Sequence, residues 1–116
     1  RLGSYDTIVV DGTLAHKIYR KNNFKERHRH RYEVNIKYKD LLEENGMIIS
    51  GLSPDGNLPE IIEIREFKNS NGESVKHPFF IAGQFHPEFK SSPFNPHPMF
   101  KGLIKSTLKI ILKDKF

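Results

Sequence analysis

The sequence contains no cysteine among its 116 residues. It therefore forms no disulfide and no thiolate metal site, and it offers no cysteine nucleophile of its own. Its longest apolar runs span only a few residues, which argues against a membrane-spanning helix. It begins with Arg1-Leu2-Gly3, without an initiator methionine and without the pattern of a signal peptide. These absences predict a cytoplasmic protein with no membrane contact, and a chain that starts in mid-sequence.

Positive charge is in excess, with 19 Lys and Arg against 14 Asp and Glu and a net charge of +5. A basic surface attracts nucleotides or nucleic acids by long-range electrostatic steering. The basic residues are nevertheless spread along the chain, and neither a helix-turn-helix pattern nor an RNA-recognition pattern is visible. We therefore predict no nucleic-acid partner and interpret most of the excess as solvated lysine.

The length and the hydrophobic share of 36% indicate one domain, or part of one, with a modest core. Short β-branched and apolar runs predict strands at 7–10, 47–51, 58–64 and 79–83. Residues 99–112 have the apolar spacing of an amphipathic helix. The expected fold is therefore mixed α/β. The βαβ units that open a complete doubly wound domain are missing, which predicts truncation at the N-terminus.

Two segments give more specific expectations. The strand at 79–83 is fully apolar, which suits the centre of a buried sheet. Residues 67–77 are mostly polar and lack periodicity, so they are predicted to form an exposed insertion loop.

The stretch from Gln84 to Phe89 (QFHPEF) is the most informative part of the sequence. A carboxylate bonded to one imidazole nitrogen fixes the tautomer and raises the basicity of the other nitrogen, as in a catalytic triad. His86 and Glu88 touch only if the chain bends, and Pro87 restricts the backbone between them. Because the pair follows an apolar strand, it lies where α/β sheets place their active sites. A surface or capping pair is the alternative interpretation.

Arginine and histidine alternate from Arg27 to Arg31 (RHRHR). In a strand, the three arginines would share one face and the two histidines the other. Guanidinium groups bind carboxylates and phosphates through paired hydrogen bonds. The run is therefore consistent with a site for a nucleotide, a nucleic-acid backbone or an amino-acid carboxylate, and equally with a solvated basic edge strand. No metal site is predicted, since no two histidines have ligand spacing on a predicted helix.

Several stretches match one family together, in order and in spacing. They are Arg1 to Gly3, Gly12 to Ala15, Glu26 to Asn35 (ERHRHRYEVN), Gly51 with Ser53 to Gly56 (SPDG), Glu60 to Glu63 (EIIE), His77 to Phe80 (HPFF), Gln84 to Lys90 (QFHPEFK), Ser92-Pro93, and His97-Pro98 with Phe100. The series resembles the C-terminal part of the glutaminase domain of the CTP synthase family, a class I glutamine amidotransferase domain, over nearly the whole chain. The His-Pro-Glu motif indicates only a class I amidotransferase, whereas ERHRHRYEVN distinguishes CTP synthases from GMP synthetase and carbamoyl-phosphate synthetase relatives.

The resemblance implies that residues 1–116 are the C-terminal half of a flavodoxin-like open sheet with added antiparallel strands. It implies an enzyme that hydrolyses L-glutamine and passes the ammonia to an N-terminal synthetase domain, which converts UTP to CTP with ATP and Mg²⁺. GTP is implied as an allosteric activator and a homotetramer as the assembly, and none of these cofactors is expected to bind in this segment. By motif, His86 is the catalytic base, Glu88 orients it, and Arg31 contacts the bound glutamine.

The sequence also departs from the family pattern. The cysteine turn and the glycine-rich oxyanion segment lie upstream in the family and have no counterpart here. The chain alone is therefore expected to be inactive, with the upstream half of the amidotransferase domain as its partner. Two alternatives stay open: another class I amidotransferase such as GMP synthetase, and a basic module that binds polyanions through Arg27, Arg29 and Arg31.

Overall fold

The computed structural model describes residues 1–115, which form a mixed α/β fold as predicted. The strands are β1 (Leu2–Val9), β2 (Asn23–Arg29), β3 (Ile48–Leu52), β4 (Pro59–Glu63), β5 (Glu66–Lys68), β6 (Ser74–Lys76) and β7 (Ile81–Gly83). The helices are α1 (Leu14–Tyr19), α2 (Lys39–Glu44) and α3 (Pro98–Lys115), with short 3₁₀ helices at Ile36–Tyr38 and Pro87–Lys90.

One five-stranded sheet organises the molecule, with strand order β2-β1-β3-β4-β7. Every pairing in this sheet is antiparallel. The added antiparallel strands of the expected architecture are therefore the part represented in these residues. A separate two-stranded sheet is formed by β5 and β6.

Helix α1 begins at Leu14, where two acceptors satisfy its first amides. The Thr13 hydroxyl accepts a hydrogen bond from the His16 amide at 3.2 Å. The buried carboxylate of Glu63 accepts from the amides of Leu14 and Ala15 at 2.8 and 3.1 Å. A short helix has few internal bonds, so these contacts from the loop and from β4 determine its position on the sheet.

The core lies between the sheet, α1 and the start of α3. Its buried apolar side chains are Val9, Ala15, Tyr19, Phe24, Ile61, Phe85 and Met99. The rings of Tyr19 and Phe24 stack with centroids 3.6 Å apart. Gly83 is required beside Phe85, since a Cβ there would lie 2.7 Å from the Phe85 ring. This close approach buries Phe85 directly before His86 and thereby fixes where the chain leaves β7.

The prediction of a central strand at 79–83 was wrong. Strand β7 covers only Ile81–Gly83, lies at the edge of the sheet and pairs with β4. Ala82 and Gly83 are exposed. An apolar composition indicates that a strand tends to be buried, but it does not indicate whether other strands of this chain pair with it on both sides.

Residues 67–77, predicted to form an exposed insertion loop, belong to the β5–β6 hairpin, whose strand pairing was not predicted from the sequence. Its turn is closed by the Asn69 side chain, which accepts hydrogen bonds from the amides of Asn71 and Glu73, each at 3.0 Å. Gly72 adopts φ +76° in this turn, a conformation that glycine reaches without strain. Most of the segment is exposed. That it is an insertion relative to the family stays a prediction.

Helix α3 confirms the predicted C-terminal helix and is longer than the 99–112 pattern indicated. Met99 and Gly102 are buried against the body of the chain. Its exposed apolar side chains are Phe100, Leu103, Ile104, Leu108, Ile110, Ile111 and Leu112. None of the helices in residues 1–115 combines the length and the apolar character needed to cross a membrane.

Candidate functional site

The His86–Glu88 pair lies directly after β7, at the start of the Pro87–Lys90 3₁₀ helix. His86 occupies the position before this helix with extended backbone angles (φ −109°, ψ 93°), and Pro87 opens the helix. The tight turn supplies the bend that the sequence required. It places His86 Nδ1 3.2 Å from Glu88 Oε2. The side chains are 37% and 58% exposed, so the pair is accessible to a substrate.

Strand β2 and an aromatic neighbour position His86. The His86 amide donates to the carbonyl of Arg27 at 2.9 Å, which joins the segment to β2. The Phe89 ring stacks on the imidazole with centroids 5.3 Å apart and planes 22° apart. The imidazole is therefore held by Glu88 at Nδ1 and by Phe89 on one face. Its other nitrogen, Nε2, is available to accept a proton.

Glu88 is poised to remain ionised. The hydrogen bond from His86 holds the pKa of this carboxyl below its usual range, helped by a backbone hydrogen bond and by the charge of nearby Arg29. An ionised carboxylate at Nδ1 favours the tautomer with the hydrogen on Nδ1. That tautomer leaves the lone pair on Nε2, as a general base requires.

The arginine run divides at the end of β2. Arg27 and Arg29 lie on the exposed face of the strand, while Glu26 and His28 are buried on the other. The strand ends at Arg29. The prediction that three arginines share one strand face was therefore wrong for Arg31, because the pairing of β2 with β1 stops at Leu2 and Arg29.

Arg31 is exposed beyond β2 and lines an open depression near the site. The depression measures about 610 Å³ and is lined by Arg1, Leu2, Arg29, His30 and Arg31. The side-chain amide of Gln84 donates to the carbonyl of Tyr32 at 3.4 Å, which joins the segment around Arg31 to the one leading to His86. The structure thus brings the predicted site residues into one region. In the described residues, Arg31 forms no hydrogen bond or ion pair with His86 or Glu88.

Sequence reasoning missed a buried polar cluster behind the site, formed by Glu26, His97 and Tyr19. The Tyr19 hydroxyl donates to Glu26 at 2.7 Å, and His97 Nε2 contacts the same carboxylate oxygen. Burial and the Glu26 carboxylate together raise the pKa of Tyr19 far above its usual range. Lys90, at the end of the 3₁₀ helix, reaches to 3.6 Å from Glu26. The cluster therefore supports the turn that holds Glu88.

A second buried cluster surrounds Glu60 of β4. Its carboxylate accepts from the Thr7 hydroxyl at 2.8 Å and forms an ion pair with Arg1. His28 Nε2 lies 3.2 Å from it, in an orientation that makes no hydrogen bond. Burial, with the charges of Arg1 and His30, lowers the pKa of His28 to about 4. In the run from Glu26 to Arg31, residues two apart lie on the same face of a strand. This spacing could have indicated that Glu26 and His28 share the inward face of β2.

Most of the chain matches a known protein family. A family model described as Glutamine amidotransferase class-I matches residues 3–106, which include His86, Glu88 and Arg31. The chain belongs to the class I glutamine amidotransferase family. The matched range extends from Gly3 in β1 to the middle of α3.

Curated relatives of this amidotransferase chain include CTP synthases. It is 55% identical over 113 residues to the CTP synthase of Methanococcus aeolicus, which covers 97% of this chain and 19% of that protein. It is 56% identical over 106 residues to the CTP synthase of Pelagibacter ubique, covering 91% of this chain and 18% of the relative. The chain thus spans about a fifth of the length of these relatives.

A solved structure agrees with the sequence comparison. The glutaminase domain of Trypanosoma brucei CTPS with bound acivicin superposes with a TM-score of 0.75 at 36% identity, covering 93% of this chain and 39% of that one. The fold expected from the resemblance, part of a class I amidotransferase domain, is confirmed. Within residues 1–115, no three His, Asp or Glu side chains are grouped so as to hold a metal ion.

Proposed function

We propose that this amidotransferase segment serves glutamine hydrolysis in a CTP synthase, supplying ammonia for the ATP-dependent conversion of UTP to CTP. The observation that supports this most directly is the accessible His86–Glu88 pair, 3.2 Å apart, in a chain whose relatives are CTP synthases. The chain contains no cysteine, so the thiol nucleophile belongs to residues outside these 116. We expect the chain alone to be inactive with glutamine.

In this proposal His86 moves the protons of the reaction. Nε2 accepts the proton of the thiol, and the thiolate attacks the carboxamide carbon of glutamine. The carbon–nitrogen bond then breaks, and the proton held on Nε2 leaves with the ammonia. Water hydrolyses the thioester to glutamate with His86 again as the base. Glu88 holds Nδ1 and stabilises the imidazolium that forms in each step.

Arg31 is proposed to bind the α-carboxylate of glutamine. Its guanidinium is exposed beside an open depression in which Arg29 adds positive charge. A planar guanidinium binds a carboxylate through two parallel hydrogen bonds, and this fixes orientation as well as affinity. Because Arg31 would both bind glutamine and hold it in the orientation needed for attack, loss of Arg31 should affect both KM and kcat.

The remaining parts of the proposed enzyme lie outside this segment. By resemblance, ATP and Mg²⁺ would act in a synthetase domain, in the conversion of UTP to CTP. GTP activation and a homotetramer are likewise proposals taken from the resemblance. The chain's own contribution is the base, its orienting carboxylate and the glutamine-binding arginine.

Replacement of His86 by alanine in the complete protein tests the proposal. Glutamine-dependent CTP formation should be lost, while CTP formation with ammonium chloride should be retained, because added ammonia bypasses the glutaminase step. Equal loss of both activities would show that His86 supports the fold or the synthetase reaction instead.

The nature of the product separates CTP synthase from other class I amidotransferases. With UTP, ATP and glutamine the protein should form CTP, whereas a GMP synthetase would need xanthosine monophosphate and would leave UTP unchanged. Arg31→Ala provides a second test, since it should weaken glutamine use and leave ammonium-dependent CTP formation unchanged.

A further inference from the structure

A cleft of about 830 Å³ lies between α1 and α3, lined by residues that the proposed glutaminase reaction does not use. Leu14, Ile18 and Phe79 contribute its apolar lining. Gly102 allows α3 to approach closely, since a Cβ there would lie 3.0 Å from both Ile18 and Phe79. The Ser106 hydroxyl donates to the carbonyl of Pro78 at 3.2 Å. Packing and this hydrogen bond therefore fix the separation of the two walls.

The charged side chains that line the cleft are all positive. They are Lys17, Arg20, Lys101, Lys105 and Lys109. No carboxylate lines the cleft, and none of the five cations forms an ion pair among the side chains that the structure describes. Lys25, Lys39 and Lys90, in contrast, each contact a carboxylate. Like charges gathered around one cavity produce a local positive potential that favours an anion.

The cations lie on both walls of the cleft. Lys101, Lys105 and Lys109 follow one another at four-residue spacing and so share one side of α3. With a rise of 1.5 Å per residue, this row extends over about 12 Å of the helix. Lys17 and Arg20 face the cavity from α1 and its C-terminal end. A ligand between the two helices therefore has positive charge on two sides. A ligand with a single carboxylate would leave part of this charge unbalanced.

We propose that this cleft binds a small polyphosphate anion. Its phosphate groups would accept charge-assisted hydrogen bonds from the lysines of α3 and from Lys17 and Arg20. The concave shape and the partly apolar lining favour a small ligand over an extended nucleic acid, which would need a continuous basic surface.

Lysine footprinting of the complete protein with inorganic tripolyphosphate tests the proposal. Amines are acetylated with and without the anion, and each lysine is followed by mass spectrometry. Lys101 and Lys105 should be protected, whereas Lys113, exposed on the same helix and outside the cleft, should react equally in both samples. Equal protection of Lys113 would indicate diffuse attraction to a basic helix and would overturn the proposal, as would the absence of protection at every lysine.

A charge-reversed pair of variants gives the matched control. Lys105→Glu should weaken the protection of Lys101 about tenfold in tripolyphosphate concentration, because one charge-assisted contact is lost. Lys113→Glu makes the same change in net charge and should leave the protection unchanged. An equal effect of the two variants would contradict a defined site. A single-stranded oligonucleotide that protects Lys101 at lower concentration than tripolyphosphate would also contradict it.

Discussion

Two histidine–glutamate pairs of this molecule use the same functional groups in opposite environments. His97 and Glu26 are 2% and 1% exposed, and Tyr19 donates to the same carboxylate. His86 and Glu88 are 37% and 58% exposed and contact each other through one nitrogen and one oxygen. In the first pair the amide of Met99 donates to His97 Nδ1, so Nε2 carries the hydrogen that faces Glu26. Both His97 nitrogens are therefore occupied, whereas Nε2 of His86 has no hydrogen-bond partner among residues 1–115.

The difference shows that a histidine–carboxylate contact does not by itself indicate catalysis. A buried, fully bonded pair is closed to substrate, and its contribution is to hold β2, α1 and the start of α3 together. An accessible pair with one free nitrogen can exchange protons with a ligand. Exposure and the unoccupied nitrogen thus separate the catalytic candidate from the structural one. Lys90 links the two pairs, since it contacts Glu26 from the end of the turn that contains Glu88.

The largest expected effect is on catalysis. Glu88→Gln keeps the shape of the side chain but removes the charge that orients His86 and stabilises its imidazolium. We expect glutamine-dependent turnover to fall by about 10²–10⁴-fold, with ammonium-dependent CTP formation and the free energy of unfolding unchanged. Steady-state kinetics with each nitrogen source measure the first two quantities. An equal fall with ammonium would mean that Glu88 is a structural residue like Glu26.

The second prediction concerns the buried pair. Glu26→Ala removes the acceptor shared by Tyr19 and His97 and leaves both groups buried without it. We expect the free energy of unfolding of the complete protein to fall by about 3 kcal/mol. Urea denaturation measures this, with Glu88→Ala as the exposed control, which should change stability by less than about 0.5 kcal/mol. Similar losses for the two variants would remove the distinction between the pairs.

His28 sharpens the comparison, because it is buried beside Glu60 without a hydrogen bond. Its pKa is lowered from 6.5 to about 4, first by burial and then by Arg1 and His30. Between these pH values the unfolded chain binds a proton that the folded chain does not, so stability falls as the pH falls. The loss approaches about 3 kcal/mol near pH 4 and is absent above pH 7. Denaturation curves at pH 7 and pH 4.5 measure this loss of stability. His28→Gln should reduce the change in the free energy of unfolding between the two pH values. An unchanged difference would mean that other groups cause the acid sensitivity.

The smallest effect is expected for an ion pair that is exposed and lies outside the site. Lys25 Nζ lies 3.1 Å from Asp6, and the two side chains are 63% and 41% exposed. Asp6→Asn should change the free energy of unfolding by less than about 1 kcal/mol, because water screens the pair. The glutaminase activity of the complete protein with Asp6→Asn should equal that of the complete protein without the substitution. A loss of activity would show that charge on the outer face of β2 influences His86 over a distance.

Local elements were predictable because their causes are local. The apolar spacing of 99–112 predicted most of α3. The signals at the other helix ends are equally local, since Thr13 caps the start of α1 and Asn45-Gly46 ends α2. The close contact of His86 with Glu88 was also foreseeable, since Pro87 and the spacing of two permit it only in a tight turn. The edge position of β7 and the β5–β6 hairpin were not foreseeable, because they depend on which segments pair.

The sequence by itself determined the family signature, the His-Pro-Glu turn and the absence of a cysteine nucleophile, since each depends on residues adjacent in the chain. Tertiary structure alone decided which histidine stays accessible. Glu26 and His97 are 71 positions apart, and only the packing of β2 against the start of α3 buries them together. The cationic cleft likewise exists because Gly102 brings α3 close to α1. Burial and long-range proximity belong to the folded chain, and local sequence patterns do not encode them directly.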